Sequence, residues 1–214
     1  MLSNGNKPKS AITDMLLTEL SVFYYSFVVW FRKPQLSRAA CYSYHQTSQY
    51  KMIMIVFIII MIAEMIGVHL LLAMWNEWMA WIASVLSIYA ILYFIACYNA
   101  YRYLPHTLTA GRLLVRMGFQ NRVEIALDNI EAITAAKQIG LGEQVPKDTY
   151  LAYIRLDAPQ FELHLKKQVF VTGSFGTKKA VSSVVLRVDN PSEFEAEIVR
   201  ALGEMKEELH HNNL

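Results

Sequence analysis

Apolar residues crowd into two long stretches of this chain, Met52 to Met74 and Trp78 to Tyr101, separated only by Trp75-Asn76-Glu77. As a helix the first stretch is about 34 Å long, enough to cross a hydrocarbon core of about 30 Å with a little tilt. So short a connection forces the two helices to lie antiparallel and side by side, and the pattern predicts a transmembrane hairpin over 52–103. Upstream, Ile12, Leu16, Leu20, Phe23, Phe27 and Trp30 recur at a helical period, with Asp14, Thr18, Ser21 and Tyr25 on another face. This predicts an amphipathic helix over 11–33. The favoured reading lays it in the membrane interface, anchored by Trp30, Phe31, Arg32 and Lys33. A short third span carrying Asp14 and Glu19, or a soluble helix packed on the C-terminal domain, are the alternatives. Residues 1–10 read as a loose polar tail without a signal peptide, and 34–51 as a basic cytoplasmic linker.

Beyond Pro105 the pattern changes to short alternating runs. Strands are expected at Thr107 to Ala110, Arg112 to Met117 and Arg122 to Leu127, as an antiparallel meander. Ile130 to Ala136 reads as a strand or a helical turn, and Gln138 to Asp148 as a loop. Further strands are expected at Tyr150 to Leu156, Phe161 to Leu165, Val169 to Thr172 and Val181 to Val188, with a turn at Gly173-Ser174-Phe175-Gly176. Asn190, Pro191 and Glu193 then form a helix start, and Phe194, Ile198, Leu202, Met205 and Leu209 one apolar stripe that closes the sheet. The acidic opposite face reads as solvated surface.

Composition agrees with a membrane hairpin on a small domain: 54% of the 214 residues are hydrophobic and the mean hydropathy is +0.25. A net charge of +2 selects no partner, and nucleic acid is not expected. Cys41 and Cys97 are the only cysteines, too few for a disulfide framework. None of the six histidines has metal-ligand spacing, so neither a metal nor another cofactor is expected, and an enzyme is the less favoured class. Charge does set an orientation. Arg32, Lys33, Arg38 and Lys51 precede the hairpin and Arg102 follows it, whereas its turn offers only Glu77 edged by Trp75, Trp78 and Trp81. Both flanks should be cytoplasmic, with Tyr44, Tyr50, Tyr98, Tyr101 and Tyr103 as an inner aromatic belt and the tryptophans facing outward.

Two residues break the apolar rule inside the hairpin. Glu64 falls near the middle of the first span, where an ionised carboxylate costs several kcal/mol, and His69 follows it. Antiparallel pairing about the turn puts Glu64 level with Tyr89, and His69 level with Ser84 and Val85. These polar groups form either a proton-handling or ligand site, or interhelical hydrogen bonds that fix register; the second is favoured. Lys166-Lys167 and Lys178-Lys179 read as solvated pairs, with contact to anionic lipid as the alternative.

The run LTAGRLLVRMGFQNRVEIALDNIEAI, the β-rich stretch after it and VVLRVDNPSEFEAEI resemble the bacterial pleckstrin-homology-like (PH-like) domains. The hairpin with Glu64, His69, Trp75 and Tyr89 looks like that of bacterial membrane proteins carrying such a domain, and the similarity covers roughly Tyr44 to Leu209. It implies an α+β membrane protein: a transmembrane helical hairpin plus a cytoplasmic PH-like β-barrel or sandwich capped by a C-terminal helix, integral to the cell membrane. It implies no defined activity. The expected function is a membrane-anchored binding or assembly module in a transport, stress or peptide-toxin immunity system, its partners the lipid bilayer and either another protein or further copies of itself. The alternatives are a small-molecule or proton-handling site on Glu64, His69 and Tyr89, serving a transporter subunit or intramembrane enzyme, and a structural anchor that senses anionic lipid through the basic linker.

Overall fold

The structure, a computed structural model, describes residues 11–34, 40–109, 111–140 and 142–211. Helix α1 spans Ala11–Ser26, and a 3-10 turn over Val28–Trp30 extends it. The two apolar stretches form α2, Tyr50–Ala73, and α3, Glu77–Tyr103, both long and apolar enough to cross a membrane. They pack side by side. Asn76 starts α3 with extended backbone, and its Oδ1 accepts from the amides of Trp78 at 2.9 Å and Met79 at 3.3 Å, supplying partners to a helix end that otherwise has none.

The remainder is a sheet-rich region closed by a helix. Its strands are β1 Ala40–Tyr42, β2 His106–Thr109, β3 Arg112–Met117, β4 Asn121–Ala126, β5 Ile130–Ala135, β6 Thr149–Ala152, β7 Phe161–Gly173 and β8 Lys178–Leu186; α4 follows over Pro191–His211. They make one open eight-stranded sheet in the order β1-β2-β3-β4-β7-β8-β6, and β5 continues the β4 side along β7. Every pairing is antiparallel except β6 with β8.

Three differences from expectation have physical causes. The runs 161–165 and 169–172 are one bent strand, because an irregularity between His164 and Val169 lets β7 pair with β5 at one end and β4 at the other. Ile130–Ala135 is a strand, its edge held by β7. And β1 lies inside the stretch read as linker: Ala40, Cys41 and Tyr42 pair with Leu108, Thr107 and His106. The helical hairpin is therefore inserted within the sheet region, between its first and second strands.

Alternation decides which face of the sheet is covered. Leu113, Val115, Val123, Ile125, Leu163 and Leu186 point inward and are buried, and Phe194 and Ile198 of α4 complete the core against Tyr42, whose ring meets Phe194 edge-on at 5.0 Å. The expected positions Met205 and Leu209 fall outside the side chains described, as does Asp14. Backbone conformation and space together require glycine where β3 turns into β4. Gly118, in the β3–β4 turn, has φ of +55°, and a side chain there would press on Ala100 at 3.3 Å where α3 reaches the sheet.

Candidate functional site

Two polar constellations stand out, one along the helices and one where the helices join the sheet. In the first, His69 Nδ1 and Ser84 Oγ are 2.8 Å apart, and the His69 ring meets Trp81 edge-on. That contact defines the α2–α3 register: five residues back on α2 and five forward on α3 bring Glu64 level with Tyr89. The two do not bond. Tyr89 donates to Glu19 Oε2 of α1 at 2.7 Å, while Glu64 is exposed, with no hydrogen bond or ion pair among the described residues. Of the four candidate site residues the structure thus joins His69 to Ser84 and sends Tyr89 and Glu64 to different faces. Glu19, an acid flanked by Leu16, Leu17 and Leu20 in α1, was the visible signal of the additional partner.

Helix α1 runs beside α3 in the same direction. Contacts advance together from Glu19–Tyr89 to Ser26 Oγ donating to the Leu92 carbonyl and Asn99 Nδ2 donating to the Tyr25 carbonyl, both at 2.8 Å. Val22, Tyr25 and Val29 bury against Ala96 and Ala100. A contact line about three turns long is that of two helices lying lengthwise, not crossing at one point.

The expected interfacial residues divide between the two ends of α2 and α3. Lys51 and Arg102 are exposed at the sheet end, with Arg102 5.3 Å from the Tyr103 ring. Trp75, Trp78 and Trp81 are exposed at or near the turn, and Arg32 and Lys33 follow α1. Arg38 lies outside the described residues. Tyr44 and Tyr101 depart from the expected aromatic belt: both are buried in the joint between helices and sheet.

That joint is the second constellation. Asp157, buried, takes the Ser48 hydroxyl at 2.5 Å and the Gln49 amide at 2.9 Å, immediately before α2. A carboxylate there also suits the positive end of the helix dipole. Asp189 accepts from the amides of Gln46 and Thr47 and the Thr47 hydroxyl, and Arg187 donates to the Thr47 carbonyl. Partial burial works to raise the Asp189 pKa, but the hydrogen bonds from residues 43–47 outweigh it and hold the carboxyl below its ordinary value.

Where α3 ends, Tyr44 donates to the Leu104 carbonyl at 3.1 Å and accepts from the Gly118 amide at 2.9 Å. Its ring stacks on His106 at 4.3 Å and meets Tyr101 edge-on. His106 Nδ1 accepts from the Arg116 amide, so Nε2 carries the hydrogen facing the Arg187 carbonyl. Burial pushes this imidazole down to about 4, and it stays neutral at neutral pH. Gln120 reaches Tyr93 and Cys97 of α3, and Phe119 stacks on Tyr25 of α1. The sheet region thus holds α1, α2 and α3. Sequence reasoning missed Asp157, Asp189 and His106, because an isolated acid or histidine in a β-rich stretch shows nothing of partners that lie far along the chain, about 60 to 140 residues away for Tyr44, Arg187 and residues 46–49.

Among the described residues, no group of three or more His, Cys, Asp or Glu could hold a metal ion. No family model, no curated protein and no solved structure matches this chain.

Proposed function

We propose that this protein is a membrane-anchored binding or assembly module, with α2 and α3 crossing the bilayer and the sheet, a PH-like domain, on the cytoplasmic side. The observation that carries the reading is the joint: Asp157 and Asp189 grip the start of the hairpin, and Tyr44 its end. A domain held at both ends of its anchor keeps a fixed height and orientation at the membrane, as a docking platform requires and a tethered soluble enzyme does not. Exposure supports the membrane part, since the most apolar window of α2 has no buried residue. The basic flanks Lys51 and Arg102 favour the cytoplasmic side. On this reading α1, lying along α3, enters the bilayer as the short span and not as an in-plane helix.

The partner, another protein or a second copy, docks on the sheet surface; β5 pairs with β7 alone and exposes Glu131, Ala132 and Ala135. Cross-linking in native membranes tests this. Glu131→Lys with Ala135→Lys should abolish higher-mass cross-linked species, whereas Glu64→Gln with His69→Ala leaves them intact; the reverse pattern refutes the module. A second reading draws on the Glu19–Tyr89 pair, a carboxyl–hydroxyl contact between apolar helices suited to proton handling. It is the weaker reading, because Glu64 and His69 do not converge on that pair.

A further inference from the structure

We infer that the helix-proximal end of the sheet carries a site for the phosphate of an anionic lipid headgroup, formed by Arg116, Arg122 and Lys178. The inference rests on reading α2 and α3 as a membrane hairpin. Strand register places Arg116 opposite Arg122, Arg122 opposite Thr172, and Thr172 opposite Lys178. Directly opposed residues project from the same side, so the four make one row across β3, β4, β7 and β8. The row lies on the outer face, because the adjacent Val115, Val123 and Val171 are buried on the inner one. With neighbouring strands about 4.8 Å apart the row is about 14 Å long, short enough for long basic side chains to converge on one anion.

Opposed like charges destabilise a strand pair unless an anion lies between them. Among the described residues no carboxylate fills that role. Glu124 is engaged by Arg112, Arg200 lies near Glu197 and Glu204 on α4, and no ion pair includes Arg116, Arg122 or Lys178. Arg116 Nε is moreover buried with no hydrogen-bond partner, while Arg122 and Lys178 are exposed. A basic row with an unsatisfied guanidinium nitrogen and two accessible cations is suited to phosphate.

Position selects the source of the phosphate. The tips flanking the row touch the helices: Phe119 lies on Tyr25, Gln120 reaches Tyr93, and the turn Ser174–Gly176 packs on α1. The row therefore lies beside the ends of α1 and α3 that meet the sheet, at the depth of the headgroups. An open site of this kind holds a free anion weakly, whereas a bilayer supplies headgroups at high local concentration.

The test uses the full chain in nanodiscs of phosphatidylcholine with or without phosphatidylglycerol, reading retained lipid by native mass spectrometry. Wild type should prefer phosphatidylglycerol, and Arg122→Gln or Lys178→Gln, both at exposed positions, should each lower that preference about 5-fold. Lys166→Gln with Lys167→Gln should leave it unchanged. Equal preference in the Arg122→Gln/Lys178→Gln double variant, or equal loss in the Lys166/Lys167 control, overturns the inference. Inorganic phosphate bound in phosphatidylcholine discs, without any preference for phosphatidylglycerol, reassigns the site to a free anion and overturns the lipid assignment. Vesicle flotation after alkaline extraction separates the two levels of failure. A chain that does not float refutes the hairpin reading, whereas one that floats with unaltered lipid preference in the variants refutes this site alone.

Discussion

The helical hairpin and the sheet are built from the same kinds of residue and treat them in opposite ways. Leu113, Ile125 and Leu163 on the sheet are fully buried, whereas Ile59 and Leu70 on α2 are about 60% exposed. The sheet, with α4 over its inner face, closes its own core. The hairpin closes almost nothing: its helices bury one narrow seam and leave their remaining apolar surface to whatever surrounds them. Water is a costly environment for so much continuous apolar surface, and a bilayer is a favourable one. The difference teaches that the two regions present surfaces suited to different solvents; on the membrane reading proposed above, the joint around Tyr44, Asp157 and Asp189 is where these meet.

Substitutions can sharpen this contrast. Phe194→Ala, which empties the centre of the sheet core, should cost about 3–5 kcal/mol in denaturant unfolding, while Ile59→Ala on the exposed face of α2 should cost well under 1 kcal/mol. Equal costs would mean that α2 is packed as a soluble core helix. Acid should act on the sheet region through His106. Its imidazole is held neutral down to about pH 4 when folded, but titrates near the ordinary histidine value of 6.5 when unfolded. Over that window the unfolded chain binds the extra proton, so stability should fall as pH drops from 6.5 towards 4, by at most roughly 3 kcal/mol, and level off below. Urea midpoints across this range check it, and His106→Gln should flatten the slope.

The joint is the next lever. Asp157→Ala leaves the Gln49 amide and Ser48 hydroxyl without their acceptor and should cost about 1–3 kcal/mol, seen as faster hydrogen exchange over residues 46–50 with the sheet core unchanged. A smaller effect than that at the joint belongs to the helix seam. His69→Ala removes the contact to Ser84 and should cost about 1 kcal/mol or less in thermal unfolding from detergent.

How much of this was legible in the residues follows from the range of the interactions. The hairpin, its turn at Asn76 and its register were readable because apolar runs and a tight connection are local; antiparallel pairing about that turn already set His69 level with Ser84. The helix start at Asn190 was equally local, its side chain reaching Glu193 within one turn. The partner of Tyr89 was not readable, since it depends on how α1 packs, and an amphipathic stripe says which face is apolar without saying what it faces. Strand β1 was hidden for a similar reason: three residues carry too little alternation to stand out, and their partner strand lies beyond the whole hairpin. The grip of Asp157 and Asp189 on residues 46–49 spans over a hundred positions, a separation at which no periodicity carries information.

The most direct measurement is the sidedness of the two ends of the hairpin. Trp75→Cys at the turn and Glu131→Cys on the sheet, each introduced with Cys41→Ser, are labelled in intact cells with a membrane-impermeant maleimide. Labelling of position 75 in intact cells, with position 131 reacting only after permeabilisation, is the expected result; labelling of both positions from one side would contradict a hairpin that crosses the membrane with its sheet inside.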